Sequence, residues 1–464
     1  MRATGLPWVP EIPSHWGLSP NRALLRRRKI LVGARHAEYT LLSLTKAGVI
    51  VRDISTGKGK FSADMGTSQE VREGELVFCL FDIPETPRTV GLSPYDGMIT
   101  GAYTVFSCEN TQLAAYLDLF YRAMDDRKLL APLYSGLRNT IPPTRFLGTK
   151  TPIPPSEEQV AIVRFLGHAS RRITKAIRTK QRLIKLLEEQ KLVVLHQAVT
   201  RGLDPGGPMR DSGVEWLGNV PEHWDVVPLK RIAWFKSGAG FPVDEQGGQD
   251  SEIPFLKVSD MNRAGNNVWI ETASSTVSRS TAARLGAFIF PVRTIIFPKV
   301  GGALLTNKRR LLRKPSCIDN NVMGCVVEGA DIEYAFTLLQ QLDLGRLAKP
   351  GPVPAISESD VREIKVALPP IQEQTEIVTS ARRATADLDR AVSTAKREIS
   401  LLLEYRTCLI SNVVTGKLDV RQPASRLPDE VDEPGAPDES ESLADEEQVA
   451  VLDLADDIPE EFVT

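Results

Sequence analysis

A chain of 464 residues exceeds what one hydrophobic core ordinarily organises and points to two or three domains, with a 42% hydrophobic share to fill them. No stretch approaches the roughly 18 consecutive apolar residues that span a bilayer, and the opening MRATGLPWVPEIP lacks the apolar core of a secretory signal, so a cytoplasmic protein is expected rather than a membrane or exported one. The net charge of −2 hides a division: residues 428–464 hold 15 acidic and no basic side chains, leaving 57 Lys and Arg against 44 Asp and Glu in residues 1–427, a surplus compatible with a polyanionic partner or simply with solvated helix faces.

The first element in chain order is a phrase, WVPEIPSHW at 8–16, which returns as WLGNVPEHW at 216–224 with Trp, Pro, His and Trp at matching places. His15 and His223 are expected to staple the start of each lobe by packing, since no carboxylate is paired with them by spacing. Strand-like runs follow at 39–51 (YTLLSLTKAGVIV) and 76–81 (LVFCLF), and TVFSC at 104–108 leads into an amphipathic helix, TQLAAYLDLFYRAM. IPPSEEQVAIV at 153–163 then opens a long helix, with a double proline before it, Ser156 and Gln159 spaced as a capping box, and some 40 residues free of proline. TRGLDPGGPMRDSG at 200–213 is a turn-rich linker. After the second phrase come IPFLKVSDM, TIIFPKVGG and GCVVE, a second amphipathic helix IEYAFTLLQQL, and LPPIQEQTEIV at 368–378, which repeats the helix start at an offset of 215 and stays in register for about fifty residues.

A repeat of this length is a domain duplication rather than a solenoid. In each long helix a heptad seam is apolar at most positions: Val163, Leu166, Ile173, Ile177, Ile184 and Leu187 in the first, and Val378, Ala381, Leu388, Val392, Ala395, Ile399 and Leu402 in the second. Such spacing predicts coiled-coil pairing of the two helices, with Lys180, Lys191 and Arg406 interrupting the seams to snorkel or to fix register. The expected fold is α/β mixed, with two lobes (1–152 and 216–367) joined by two long antiparallel coiled-coil helices (153–204 and 368–421) in a pseudo-twofold duplication. A linker at 205–215 and an acidic tail at 422–464 complete the division. That tail reads as disordered and solubilising, with competition against a polyanionic partner for the basic surface as the alternative.

The duplicated W-x4-P-x-H-W phrase in WLGNVPEHWDVVPLKRIAWFKSGAGFP, together with the PP-x-x-EQ helix starts, resembles the specificity subunit of a type I restriction-modification enzyme over residues 1 to about 421. The resemblance implies a non-catalytic subunit that reads a bipartite, asymmetric site on double-stranded DNA, one half per recognition domain. It further implies recruitment of two modification (methyltransferase) subunits and of restriction subunits. No cofactor is expected on this chain; S-adenosylmethionine would sit on the partner methyltransferase subunit. The residues agree: no Asn/Asp-Pro-Pro-aromatic tetrapeptide and no GxxxxGK[ST] is present, and Cys79, Cys108, Cys317, Cys325 and Cys408 are scattered without a CxxC pair, so no catalytic, cofactor or metal residue is assigned. FKSGAGFP faintly resembles the glycine-rich loop of S-adenosylmethionine enzymes through Phe235, Gly238 and Gly240, and is read instead as a turn after a strand. Two rival readings are a coiled-coil scaffold unrelated to DNA and a piece of a fused restriction-methylation enzyme.

Base reading needs Arg or Lys for guanine and Asn or Gln for adenine, set among cations that hold phosphates. In the second lobe PKVGGALLTNKRRLLRK places Lys299 on a glycine turn and Asn307, Lys308, Arg309 and Arg310 on an expected hairpin, with Asn320 and Asn321 shortly after. A solvated basic hairpin with turn-forming asparagines is the alternative. The first lobe offers Lys58 and Lys60 in STGKGKF, Arg88 after Pro87, Tyr95 in a proline turn, and Arg138, which either reaches phosphate or closes the domain.

Overall fold

The computed structural model describes residues 1–52, 65–204, 206–348 and 353–428. They form two compact units: Met1–Lys180 with the chain from Arg397 onward, and Gln181–Lys396. Each is a mixed α/β body, as expected.

The first unit is built on strands β1 (Leu25–Arg28), β2 (Leu76–Phe78), β3 (Val90–Leu92) and β4 (Thr104–Cys108), which pair antiparallel in the order β1-β4-β2-β3. Leu76, Val77 and Phe78 are all buried, as a short apolar run covered on both faces requires. Helix α1 (Thr111–Asp126) starts where the Asn110 side chain accepts a hydrogen bond from the Leu113 amide. Its Tyr116, Leu117, Phe120 and Tyr121 close over the sheet against Phe78, Phe106 and Phe146. The run at 39–51 is not one strand but a hairpin, Leu42–Thr45 against Gly48–Val51, because Lys46 and Ala47 turn the chain. Helix α2 (Ser156–Arg201) follows, its residues to Lys180 belonging to this unit.

The second unit has β5 (Ala233–Ser237), β6 (Trp269–Ile270), β7 (Ile295–Pro298), β8 (Arg310–Leu312) and β9 (Val322–Val327) in the order β5-β9-β7-β8-β6. Its first four positions repeat the order of the other sheet; β6 is added parallel to β8. Helix α3 (Ile332–Gln341), capped by Asp331, packs Tyr334, Leu338 and Leu339 into the core. Helix α4 (Ile371–Val414) closes this unit and continues into the first from Arg397. Gly238 follows β5 so closely on the Ile318 and Asp319 carbonyls that a Cβ there would lie 2.1 Å from each oxygen, so this glycine of FKSGAGFP serves a close backbone approach after a strand, whereas Gly240 has open space around it.

The two units share one junction between phrase and helix. In the first, Arg2–Leu6 pairs with Val9–Ile12, Trp16 is buried, and His15 Nε2 lies 2.9 Å from Glu158 Oε2. In the second, Met209–Asp211 pairs with Asn219–Pro221, Trp224 is buried, and His223 Nε2 lies 2.9 Å from Glu373 Oε2. Arg2 donates to the Trp16 carbonyl and Arg210 to the Trp224 carbonyl. The histidines do staple, but through a carboxylate brought from the start of a long helix, and part of the expected linker is a hairpin. The capping-box expectation is also revised: Gln159 Nε2 donates to the Pro154 carbonyl (2.9 Å) and Gln374 Nε2 to that of Pro369 (2.8 Å), so each glutamine ties the helix to its double proline. Deeper in, Tyr116 donates to Pro152 and Val414, and Tyr334 to Ala367 and Val199.

Within each unit the long helices run antiparallel. In the first, Lys180 pairs with Glu398 while Arg164 reaches the Leu427 carbonyl; in the second, Lys191 pairs with Asp389 while Glu188 meets Lys396 at 3.9 Å. The lysines that interrupt the apolar seams thus find carboxylates on the facing helix. Leu166, Ile173 and Ile177 are buried in the first unit, and Ala381 and Thr385 in the second. The expected tail from 422 begins instead with a helical turn, Arg421–Ser425, whose Ala424 is buried beside Val420.

Candidate nucleic-acid interface

Antiparallel pairing brings the end of one strand beside the start of the next, so residues distant in sequence meet at one edge of each sheet. In the second unit Ser237 ends β5, Lys299 follows β7, Asn320 and Asn321 precede β9, and Lys308 and Arg309 precede β8; the register Ser237↔Met323, Pro298↔Val322 and Ile296↔Arg310 puts all of them at the same end. Lys299 Nζ donates to Ser237 Oγ at 2.8 Å, and its amide donates to the Asn321 carbonyl at 2.9 Å. Asn320 and Asn321 are the exposed centre of a turn closed from the Val322 amide to the Asp319 carbonyl. A polar cleft lined by Ser237, Lys299, Ser357, Glu358 and Arg362 adjoins this edge.

The expected basic hairpin divides into two kinds of residue. A helical turn, Gly302–Leu305, precedes Asn307, whose φ of 57° places it in the left-handed region tolerated by asparagine. Arg309 is only 3% exposed; its guanidinium donates to the Leu342 carbonyl (2.9 Å) and to Asn307 Oδ1 (3.0 Å) and lies over Phe297. Burial lowers its pKa to about 10, with Asp343 opposing that shift. Asn307 and Arg309 therefore hold the loop from inside, and Arg310 bonds the Asn266 carbonyl. Lys308 stands half-exposed at the edge with its ammonium on Asn262 Oδ1. Sequence reasoning missed the loop it touches: Asn262, Arg263 and Asn267, in MNRAGNN, are exposed beside the start of β6. The signal was present, an Asn/Arg-rich run between strands, but only the pairing of β6 with β8 brings it to this edge.

In the first unit the corresponding edge follows β1 and β2 and precedes β3 and β4. Arg88 lies there, half-buried, with Nη1 2.6 Å from Asp126 Oδ1 and 3.5 Å from Asp125. Arg138 lies there too, 70% exposed, paired with Asp82 and set over the Phe81 ring, which stacks on Tyr103 at 6.1 Å. Its hydrogen bond holds the Asp82 carboxyl below the usual range, and the Arg138 carbonyl accepts from the Asp82 amide, so this arginine closes the loop. Lys29, exposed after β1, was missed. Tyr95 follows β3 and so sits at the opposite end of the sheet, and Lys58 and Lys60 lie outside the described residues.

Residues 221–388 match the type I restriction modification DNA specificity domain. The chain is similar to type I restriction-modification specificity subunits. It is 22% identical over 286 residues to the type I restriction enzyme MjaVIII specificity subunit of Methanocaldococcus jannaschii, covering 60% of this chain and 64% of that protein. To the putative MjaX specificity subunit of the same organism it is 24% identical over 295 residues, covering 61% and 63%. The matches thus span a little under two thirds of either relative. A solved chain from work on complex assembly and conformational transition of the type I R-M system superposes with a TM-score of 0.59 at 14% identity, covering 88% of this chain and 100% of that one, which extends the fold likeness well beyond the matched domain. Among the described residues no helix is long and apolar enough to cross a membrane.

Proposed function

We propose that this chain is the DNA-specificity subunit of a cytoplasmic type I restriction-modification complex. Each unit reads one half of a bipartite, asymmetric site on double-stranded DNA. α2 and α4 pair as an antiparallel coiled-coil spacer in a pseudo-twofold arrangement, and the matching junctions dock two modification subunits, to which restriction subunits are added. Chemistry belongs to those partners, including S-adenosylmethionine binding.

One observation carries this reading. The junctions of the two units repeat the same contacts at Arg2 and Arg210, at His15 and His223, and at Glu158 and Glu373, whereas equivalent sheet edges display different side chains: Lys29, Phe81 and Arg138 in one, Lys299, Lys308, Asn320 and Asn321 in the other. Matching attachments with different reading edges suit a molecule that holds like partners over unlike half-sites; a scaffold unrelated to DNA has no reason to differ there. The test is binding of the chain, assembled with its modification subunit, to duplexes carrying its site or scrambled halves, across salt concentration. Salt-dependent binding that loses affinity when either half is scrambled is expected; indifference to both halves refutes the reading.

A further inference from the structure

Along α2 in the first unit, residues 159–180 contain six Lys or Arg and no Asp or Glu. Arg164, Arg171, Lys175 and Arg178 fall at spacings of 7, 4 and 3, which on a helix of 3.6 residues per turn is one stripe. The opposite face is the buried one, with Ile162, Leu166, Ile173 and Ile177. Arg171, Arg172, Lys175 and Arg178 are exposed, so the stripe is a concentrated positive surface. At its first residue, Arg164 Nη2 holds the carbonyls of Leu427 (2.8 Å) and Pro428 (3.2 Å). The chain is thus fixed beside the stripe just before its most acidic stretch, for residues 429–447 carry ten Asp or Glu and no Lys or Arg.

We infer that the acidic segment 429–447 docks on the basic stripe of α2 as an intramolecular counter-charge, withholding that face from other polyanions. The stripe from Arg164 to Arg178 is about 21 Å long, and 19 residues reach up to about 60 Å, so the tether permits full coverage. Because one end is already held, the segment meets the stripe at a high effective concentration, and weak individual pairs suffice. DNA that lacks the recognised site would have to displace it.

Zero-length carbodiimide cross-linking of the full chain tests the contact without any DNA, so its outcome is independent of the proposed specificity role. Lys175 should couple to carboxylates of 429–447 at low salt and lose that coupling near ~1 M salt, where charges are screened within about 3 Å. The Lys180–Glu398 pair supplies an internal control that the helices are folded. Lys175 that couples to no carboxylate of 429–447, while Lys180 couples to Glu398, overturns the inference. A second arm measures binding to random-sequence duplex with and without residues 429–464, in the parent and in an Arg171→Glu, Lys175→Glu, Arg178→Glu background. Deletion should tighten binding roughly tenfold in the parent and leave the charge-reversed protein unchanged. No tightening in the parent, or equal tightening in both, shows that the acidic segment does not act through this stripe.

Discussion

Two arginines adjacent in sequence, Arg309 and Arg310, and a lysine before them look interchangeable on paper, yet they occupy three environments. Arg309 is internal, so Arg309→Ala strands the Leu342 carbonyl and opens a gap under Phe297; a loss of about 1 to 3 kcal/mol is expected in urea unfolding, while Lys308→Ala should stay within about 0.5 kcal/mol. For binding the order reverses. Lys308→Ala or Lys299→Ala should weaken cognate and scrambled duplexes alike and flatten the salt dependence by about one unit for each phosphate no longer neutralised. Asn320→Ala or Asn321→Ala should instead cost about 1 to 3 kcal/mol on the cognate site and relax one position if the amide reads a base edge. An unchanged salt slope and unchanged sequence preference in all four variants would move the reading edge elsewhere. In the first unit, Asp82 should titrate below the usual carboxylate range and rise in Arg138→Ala, followed by carboxyl NMR. A depressed folded pKa means this pair adds stability above pH ~4 and loses it as pH falls through the lowered value. Little of this was legible in sequence, because burial separates Arg309 from Lys308 and only folding assigns it.

At the scale of elements, the long helices and the repeated phrases were legible because period and repetition are local properties of a sequence. The sheets were less so: β2, β3 and β8 are three residues each, and their order depends on pairings between segments tens of residues apart. The His15–Glu158 and His223–Glu373 contacts were invisible for the same reason, their partners lying 143 and 150 residues away. The tyrosines beneath these junctions give a matched test. Tyr116→Phe and Tyr334→Phe each remove a buried hydroxyl with two backbone acceptors, so each should cost about 1 to 3 kcal/mol. Hydrogen exchange should show the loss at Lys150–Ile153 in the first variant and at Lys365–Leu368 in the second. Full protection in both would mean the shared junction is not what secures lobe to helix.

For the whole molecule, the duplication with unlike reading edges predicts independent half-sites. Replacing residues 17–150 with the first lobe of another relative should change one half of the recognised sequence and leave the other intact; altered specificity in both halves would contradict independent readers. The most direct measurement is a map of methylated adenines in the source genome, with the gene for this chain intact and deleted. On deletion, methylation should disappear from one bipartite, asymmetric motif with a fixed gap and persist elsewhere; a methylation pattern that does not change would contradict the specificity role.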